Sequence, residues 1–199
     1  MVQRTIFMTD IAAEKAALRA KMMTLRDTLP ERERRSERIC ALVQTLAAFA
    51  TSSAIHCYFP MRSEVDTRPL IAAALAAGKA VAVPIVVGRH QLEHSWIDSL
   101  AESEWVRGQF GTRQPRQIHP AHPGEWSVTI VPLLAFDRDR YRLGYGGGYY
   151  DMLLATAPTL AVGVAFAAQE IEQLPREAHD YQLDLIVCED GIRGDGRSM

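Results

Sequence analysis

The sequence predicts an α/β protein of three layers: an α/β/α sandwich of Rossmann-like type, with a mostly parallel (mixed) central sheet. Three observations predict it. Short runs rich in apolar and β-branched residues recur at 54–59, 80–86, 128–134, 160–165 and 184–188, the length and composition of buried strands. These runs are nearly continuous in apolar residues, as in parallel strands covered on both faces. Helical patterns fall between several of them, the alternation that builds layered α/β folds.

Taken in order, Asp10 or Thr9 can cap a first helix in which Ile11, Leu18, Met22 and Leu25 share one face. Lys15, Arg19 and Arg26 lie beside that stripe, so they form a basic ridge able to reach a neighbouring cleft or simply a solvated flank. Pro30 suits the start of a second helix running through about Phe49, and its charged run Glu31–Arg38 reads as solvated surface. The strand Ala54–Phe59 follows, then a helix over Arg68–Ala77 and the strand Ala80–Val86. His90–His94 looks strand-like, Val128–Leu134 reads as a buried strand, and Tyr149–Leu154 can open a helix. Leu160–Ala165 and Asp184–Cys188 complete the sheet.

At 199 residues and 48% hydrophobic, with no linker or internal repeat, the chain suits a single domain, residues 1–199, with its core at about 10–190. The termini are expected to be short and flexible, with Met8 an alternative start and 194–199 a disordered tail. A net charge of −2 gives no global attraction to nucleic acid or an anionic membrane, so an anionic ligand must be met by a local cluster. No export signal is visible, and no stretch approaches the ~20 apolar residues of a membrane span. Cys40, Cys57 and Cys188 make no close pair, which fits a reducing cytoplasm.

The densest chemistry lies at 142–151, Arg-Leu-Gly-Tyr-Gly-Gly-Gly-Tyr-Tyr-Asp. Glycines allow positive φ and close backbone approach, so successive amides can surround an anion. Arg142 adds a planar donor fork suited to phosphate oxygens, and Asp151 a hard oxygen ligand suited to magnesium. Glycine alone would fit a flexible turn, but the position between a strand and a helix start is where phosphate collects. No Gly-Lys-Ser/Thr follows, and Tyr149 stands where the last glycine of a dinucleotide fingerprint would fall. Glu64, beyond the first strand, can accept ring N–H groups of a substrate or serve a helix N-terminus. The histidine pairs His90/His94 and His119/His122 lack a convincing metal-site pattern, and Asp180 fits a turn as well as a ligand.

The segment from Pro132 to Asp151, with Ala135-Phe136-Asp137 and the glycine loop, resembles the signature of the 5-formyltetrahydrofolate cyclo-ligase (5,10-methenyltetrahydrofolate synthetase) family. Lys15-x-x-Leu18-Arg19, Ser63–Thr67, Gly78-Lys79 and His179-Asp180-x-x-Leu183-Asp184 match the same family in the same order. The resemblance implies ATP-dependent closure of 5-formyltetrahydrofolate, polyglutamylated or not, to 5,10-methenyltetrahydrofolate, with release of ADP and phosphate. The formyl oxygen attacks the γ-phosphate, N10 attacks the phosphorylated intermediate, and phosphate leaves. It assigns ATP contacts to Lys15, Arg19, Arg142, Leu143, Gly144, Tyr145, Gly146, Gly147, Gly148, Tyr149 and Tyr150, and folate contacts to Phe59, Glu64, Tyr145, Gly146, Gly147, Gly148 and Tyr149. Lys15, Glu64 and Arg142 become the catalytic candidates, and Asp151 and Asp180 the candidate Mg²⁺ ligands; Arg26 receives no role. A monomer is expected.

Some positions depart from the family pattern. Gly147 stands where certain members carry lysine, Tyr145 where some carry arginine, and Gln114 where a Gly-x-x-Glu-Pro segment would place glutamate. A non-catalytic nucleotide- or folate-binding paralogue is thus one alternative. A sugar-phosphate isomerase or acyl-CoA transferase on a similar fold is another, separable by nucleotide requirement.

Overall fold

The computed structural model describes residues 10–194; the expectations for Met8, Thr9 and 195–199 lie outside them. Helix α1 (Ile11–Thr28) starts at Asp10, whose carboxylate accepts the N–H groups of Ala12 and Ala13 at 3.0 and 3.3 Å. Its buried residues are Lys15, Met22 and Arg26, while Ile11 is exposed. Leu18, Met22 and Leu25 of the expected apolar stripe do pack inward, but Lys15 and Arg26 are buried beside them instead of lying at a solvated margin. Two helices, α2 (Arg32–Gln44) and α3 (Ala47–Thr51), replace the single expected one. The chain turns at Leu46, whose extended backbone ends α2 and lets α3 bury Phe49. The charged run at the start of α2 is mostly solvated, but Ser36 is buried and accepts the Asp66 N–H, and Arg35 reaches Glu189.

Strand β1 (Ala54–Cys57) leads to α4 (Arg68–Ala76), whose first turn holds Pro69. Strands β2 (Ala80–Gly88) and β3 (Gln91–Ile97) form a hairpin, and β4 (Trp105–Arg107) and β5 (Arg113–Pro115) form a small separate one. Strands β6 (His119–Ala121) and β7 (Val128–Pro132) follow. The expected strand 128–134 stops at Pro132, because the chain then folds into the hairpin of β8 (Ala135–Phe136) and β9 (Arg142–Leu143). Helix α5 (Tyr149–Thr156) and strands β10 (Leu160–Val164), β11 (Leu185–Cys188) and β12 (Gly191–Arg193) complete the chain.

The main sheet has the order β12-β11-β10-β7-β1-β2-β3-β6. From β11 to β2 neighbouring strands are parallel, while β12, β3 and β6 add antiparallel edges, so the sheet is mixed and mostly parallel. Ile39 and Val43 of α2 and Leu70 and Ile71 of α4 pack on one face with Ile55, Val81 and Val128. Leu153 and Leu154 of α5 pack on the other with Ala54, Ala82, Val131 and Ile186, giving the three layers. Helix α1 lies apart, its Met22 buried against Leu134, Ala135, Leu143 and Leu174. Among the described residues, no helix is long and apolar enough to cross a membrane.

Candidate functional site

A cleft of about 600 Å³ opens beyond the carboxyl ends of β1, β2 and β7, the usual ligand position for a parallel sheet. Every site residue singled out in the sequence lines it: Lys15 and Arg19 from α1, Phe59 and Glu64 after β1, the whole run Arg142–Asp151, and Asp180.

One wall is built by charge pairs. Lys15, only 6% exposed, donates to Glu177 at 2.8 Å and to both oxygens of Asp180 at 2.9 and 2.7 Å. Burial alone would lower its pKa, yet hydrogen bonds to Asp180 and Glu177 hold it above the usual lysine value. The turn carrying these acids is anchored by Asp137, a buried carboxylate that accepts the Leu174 N–H and the Arg176 guanidinium. Arg142 pairs with Asp151 at 3.0 Å and donates to the Tyr181 carbonyl, while Asp151 accepts the Tyr181 N–H. Glu177, His179 and Asp180 offer ligand atoms within 4.8 Å of one another, a set able to hold a cation. Asp151 stands on the same cleft outside that group.

The glycine loop is clamped to α1. Arg19 donates to the Gly144 carbonyl at 2.9 Å, and its guanidinium covers Gly146, where a Cβ would meet Cζ at 3.2 Å. Gly146 also has φ +97°, which L side chains rarely adopt. At Gly147 a Cβ would lie 2.3 Å from the Tyr149 ring, so that aromatic occupies the space any side chain would need. His90, at the tip of the β2–β3 hairpin, bonds the Gly147 carbonyl through Nδ1 at 2.6 Å, and Tyr149 donates to the Gly88 carbonyl at 3.2 Å. The buried Tyr150 hydroxyl has no hydrogen-bond partner among the described residues.

The other wall centres on Glu64, which is 8% exposed and accepts the Met61 N–H at 2.9 Å. Burial pushes its carboxyl up to about 7, against the Met61 N–H, the Arg26 charge and a hydrogen bond with Tyr145, which pull it down. Phe59 lies near it, packed on Trp105 at 4.3 Å between ring centroids and beneath the Arg113 guanidinium. Behind the wall Arg26, 1% exposed, donates to Ser63 Oγ at 3.1 Å, the Leu133 carbonyl at 3.3 Å and the Tyr145 hydroxyl.

The sequence model of the 5-formyltetrahydrofolate cyclo-ligase family matches residues 11–189. The chain belongs to the 5-formyltetrahydrofolate cyclo-ligase family. The solved 5,10-methenyltetrahydrofolate synthetase of Aquifex aeolicus superposes with a TM-score of 0.80 at 37% identity, covering 93% of this chain and 95% of that one. The 5-formyltetrahydrofolate cyclo-ligase of Mycolicibacterium smegmatis is 32% identical over 174 residues, 83% of this chain and 89% of its own. That of Haemophilus influenzae is 32% identical over 138 residues, 65% of this chain and 73% of its own.

Within this cyclo-ligase cleft several residues lie where sequence reasoning did not look. Glu177 neutralises Lys15 from far along the chain, and Phe110 lines the cleft beside Thr112 and Arg113, which belong to the Gly111–Pro115 segment whose role the sequence left open. Gln114, the apparent departure in that segment, is not in the lining; its amide oxygen lies against Gly108, where a Cβ would meet it at 2.7 Å. The His90/His94 pair is split. His94 bonds buried His56 at 3.1 Å, and Trp126 stacks on His56, whereas His90 serves the glycine loop. Arg26 carried no assignment from the sequence, yet it is the most buried cation bordering the cleft.

Proposed function

We propose that the chain converts 5-formyltetrahydrofolate to 5,10-methenyltetrahydrofolate with consumption of ATP, releasing ADP and phosphate within one-carbon metabolism. The observation that carries this reading is a single cleft with a glycine loop beside Lys15, Arg19 and Arg142 on one wall and a buried carboxylate beside aromatics on the other. On this reading Lys15, Arg19, Arg142 and the amides of 143–148 hold the triphosphate, with Tyr149 and Tyr150 at the start of α5 closing that side. Glu64 accepts N–H groups of the reduced pterin ring, Phe59 packs on it, and Tyr145–Tyr149 border both substrates.

Phosphoryl transfer needs alignment and neutralisation of charge on the phosphate oxygens, and requires no protein nucleophile. The formyl oxygen attacks the γ-phosphate and the bond to ADP breaks; N10 then attacks the activated formyl carbon and loses its proton, the C–O bond to phosphate breaks, and the ring closes with release of phosphate. Lys15 and Arg142 sit where they can follow the negative charge through that transfer. Their present partners are carboxylates, so exchanging a carboxylate for phosphate keeps each cation paired. The oxygen donors Asp151 and Asp180, with Glu177 beside them, suit Mg²⁺ in ligand type. Bound there, Mg²⁺ would neutralise phosphate charge. The enzyme acts as a monomer, and in the cytoplasm, a reducing compartment that suits its three free buried thiols. Substrate with or without a polyglutamate tail is taken.

The test is absorbance in the methenyl-folate band with purified protein, 5-formyltetrahydrofolate, ATP and Mg²⁺. A rise only in the complete mixture is expected; no rise, with folate still bound by calorimetry, identifies a non-catalytic binding protein instead.

A further inference from the structure

The Arg26 guanidinium is nearly inaccessible, and none of the ion pairs among the described residues includes it. Burying a cation without a carboxylate partner is costly, and apolar side chains of similar size commonly stabilise a fold as well or better. Met22, one turn earlier on the same buried face, shows that this helix accommodates an apolar residue there. Stability alone therefore does not explain Arg26.

Its hydrogen bonds do. The planar fork reaches acceptors on separate segments: Ser63 after β1, Leu133 after β7, and Tyr145 within the glycine loop. Ser63 is held from both sides, accepting from Arg26 and donating to Asp27, and it is the residue before Glu64. Tyr145 lies between Gly144 and Gly146, which Arg19 clamps from two helical turns earlier on α1. Ser63 directly adjoins Glu64, and the Tyr145 hydroxyl, though carried by the glycine loop, hydrogen-bonds the Glu64 carboxyl, so both acceptors meet at the Glu64 wall.

We propose that Arg26 is a positioning residue for the folate side of the reaction, fixing the Tyr145 hydroxyl and, through Ser63, the Glu64 turn in one register. The proposal rests on the reading of Glu64 and Tyr145 as folate contacts. Lysine cannot replace it, since one ammonium lacks the planar fork that spans these acceptors.

Calorimetric titration of the full chain with 5-formyltetrahydrofolate and, separately, with MgATP tests both levels. Wild-type protein that binds ATP but no folate would sink the functional reading and the proposal together. With wild type binding both, Arg26→Gln is expected to weaken folate about tenfold or more, the scale of a lost charge-assisted hydrogen bond, and ATP by less than about threefold. Arg26→Lys recovers little of the folate loss, and a double-mutant cycle with Tyr145→Phe is non-additive. Wild-type folate affinity in Arg26→Gln, equal weakening of both ligands, or full additivity overturns the proposal. Should Arg26→Gln fail to fold, Tyr145→Phe and Ser63→Ala must each weaken folate more than ATP; wild-type folate affinity in both overturns it equally.

Discussion

The two walls of the cleft face one space with opposite electrostatic arrangements. On the α1 and glycine-loop wall, Lys15 meets Glu177 and Asp180, and Arg142 meets Asp151. On the opposite wall Glu64 has no cation in direct contact, and burial has pushed its carboxyl to about 7. The first wall can exchange one anion for another with little change in paired charge. The second is only partly charged at neutral pH, because desolvation disfavours its charge. One cleft can thus serve a polyanion and a neutral heterocycle, each with its own charged groups, while the Tyr145–Tyr149 loop borders both.

Changes to each wall separate them. The largest effect is expected from Arg142→Ala, which removes a buried cation from the phosphate wall: apparent KM for ATP rises by about 100-fold, the scale of one lost transition-state or phosphate donor, while KM for folate moves by less than about threefold. Initial rates with each substrate varied check this, and intact ATP use would remove the glycine loop from the site. Glu64→Gln does the reverse, raising KM for folate by about tenfold or more with ATP little affected.

Glu64→Gln also tests how that wall is charged. The folded value lies above the ordinary carboxylate value of 4.5, so the contribution of Glu64 to stability is complete below pH 4.5 and is lost as pH rises through about 7. Thermal melts should therefore show Glu64→Gln gaining on wild type between pH 5 and pH 8, and a pH-independent difference would show that the carboxyl is not raised by burial. Asp151→Ala has the smallest expected effect, shifting the Mg²⁺ titration of activity by about tenfold, the low end for a perturbed metal site. An unchanged titration would take Asp151 out of the metal site.

The glycine loop and Glu64 were legible in the sequence because glycine, arginine and strand-end carboxylates carry their chemistry in their type and order. The parallel strands were legible for a similar reason: double burial leaves continuous apolar runs. The β8–β9 hairpin was not, since strands of two residues are too short for periodicity to register. The break at Leu46 was hidden because the apolar pattern continues across it into Phe49. Glu177 was missed because its partner Lys15 lies at the other end of the chain and no spacing rule links them. Arg26 was misread for a physical reason: a helical face is assigned by its apolar residues, and a cation at its margin is assumed to reach water. Only tertiary structure reveals acceptors waiting for it inside.

The three cysteines are all free and buried, and desolvation pushes the thiols of Cys40 and Cys188 to about 12. Cys40 and Cys57 belong to the core on the α2 and α4 face of the sheet, and Cys188 to the core on the α5 face. A thiol-alkylating reagent in neutral solution thus finds almost no thiolate to attack until the molecule breathes. Labelling at Cys40 against Cys188 clocks how often each side of the sheet opens, with no engineered reporter, and a bound substrate should slow both clocks together.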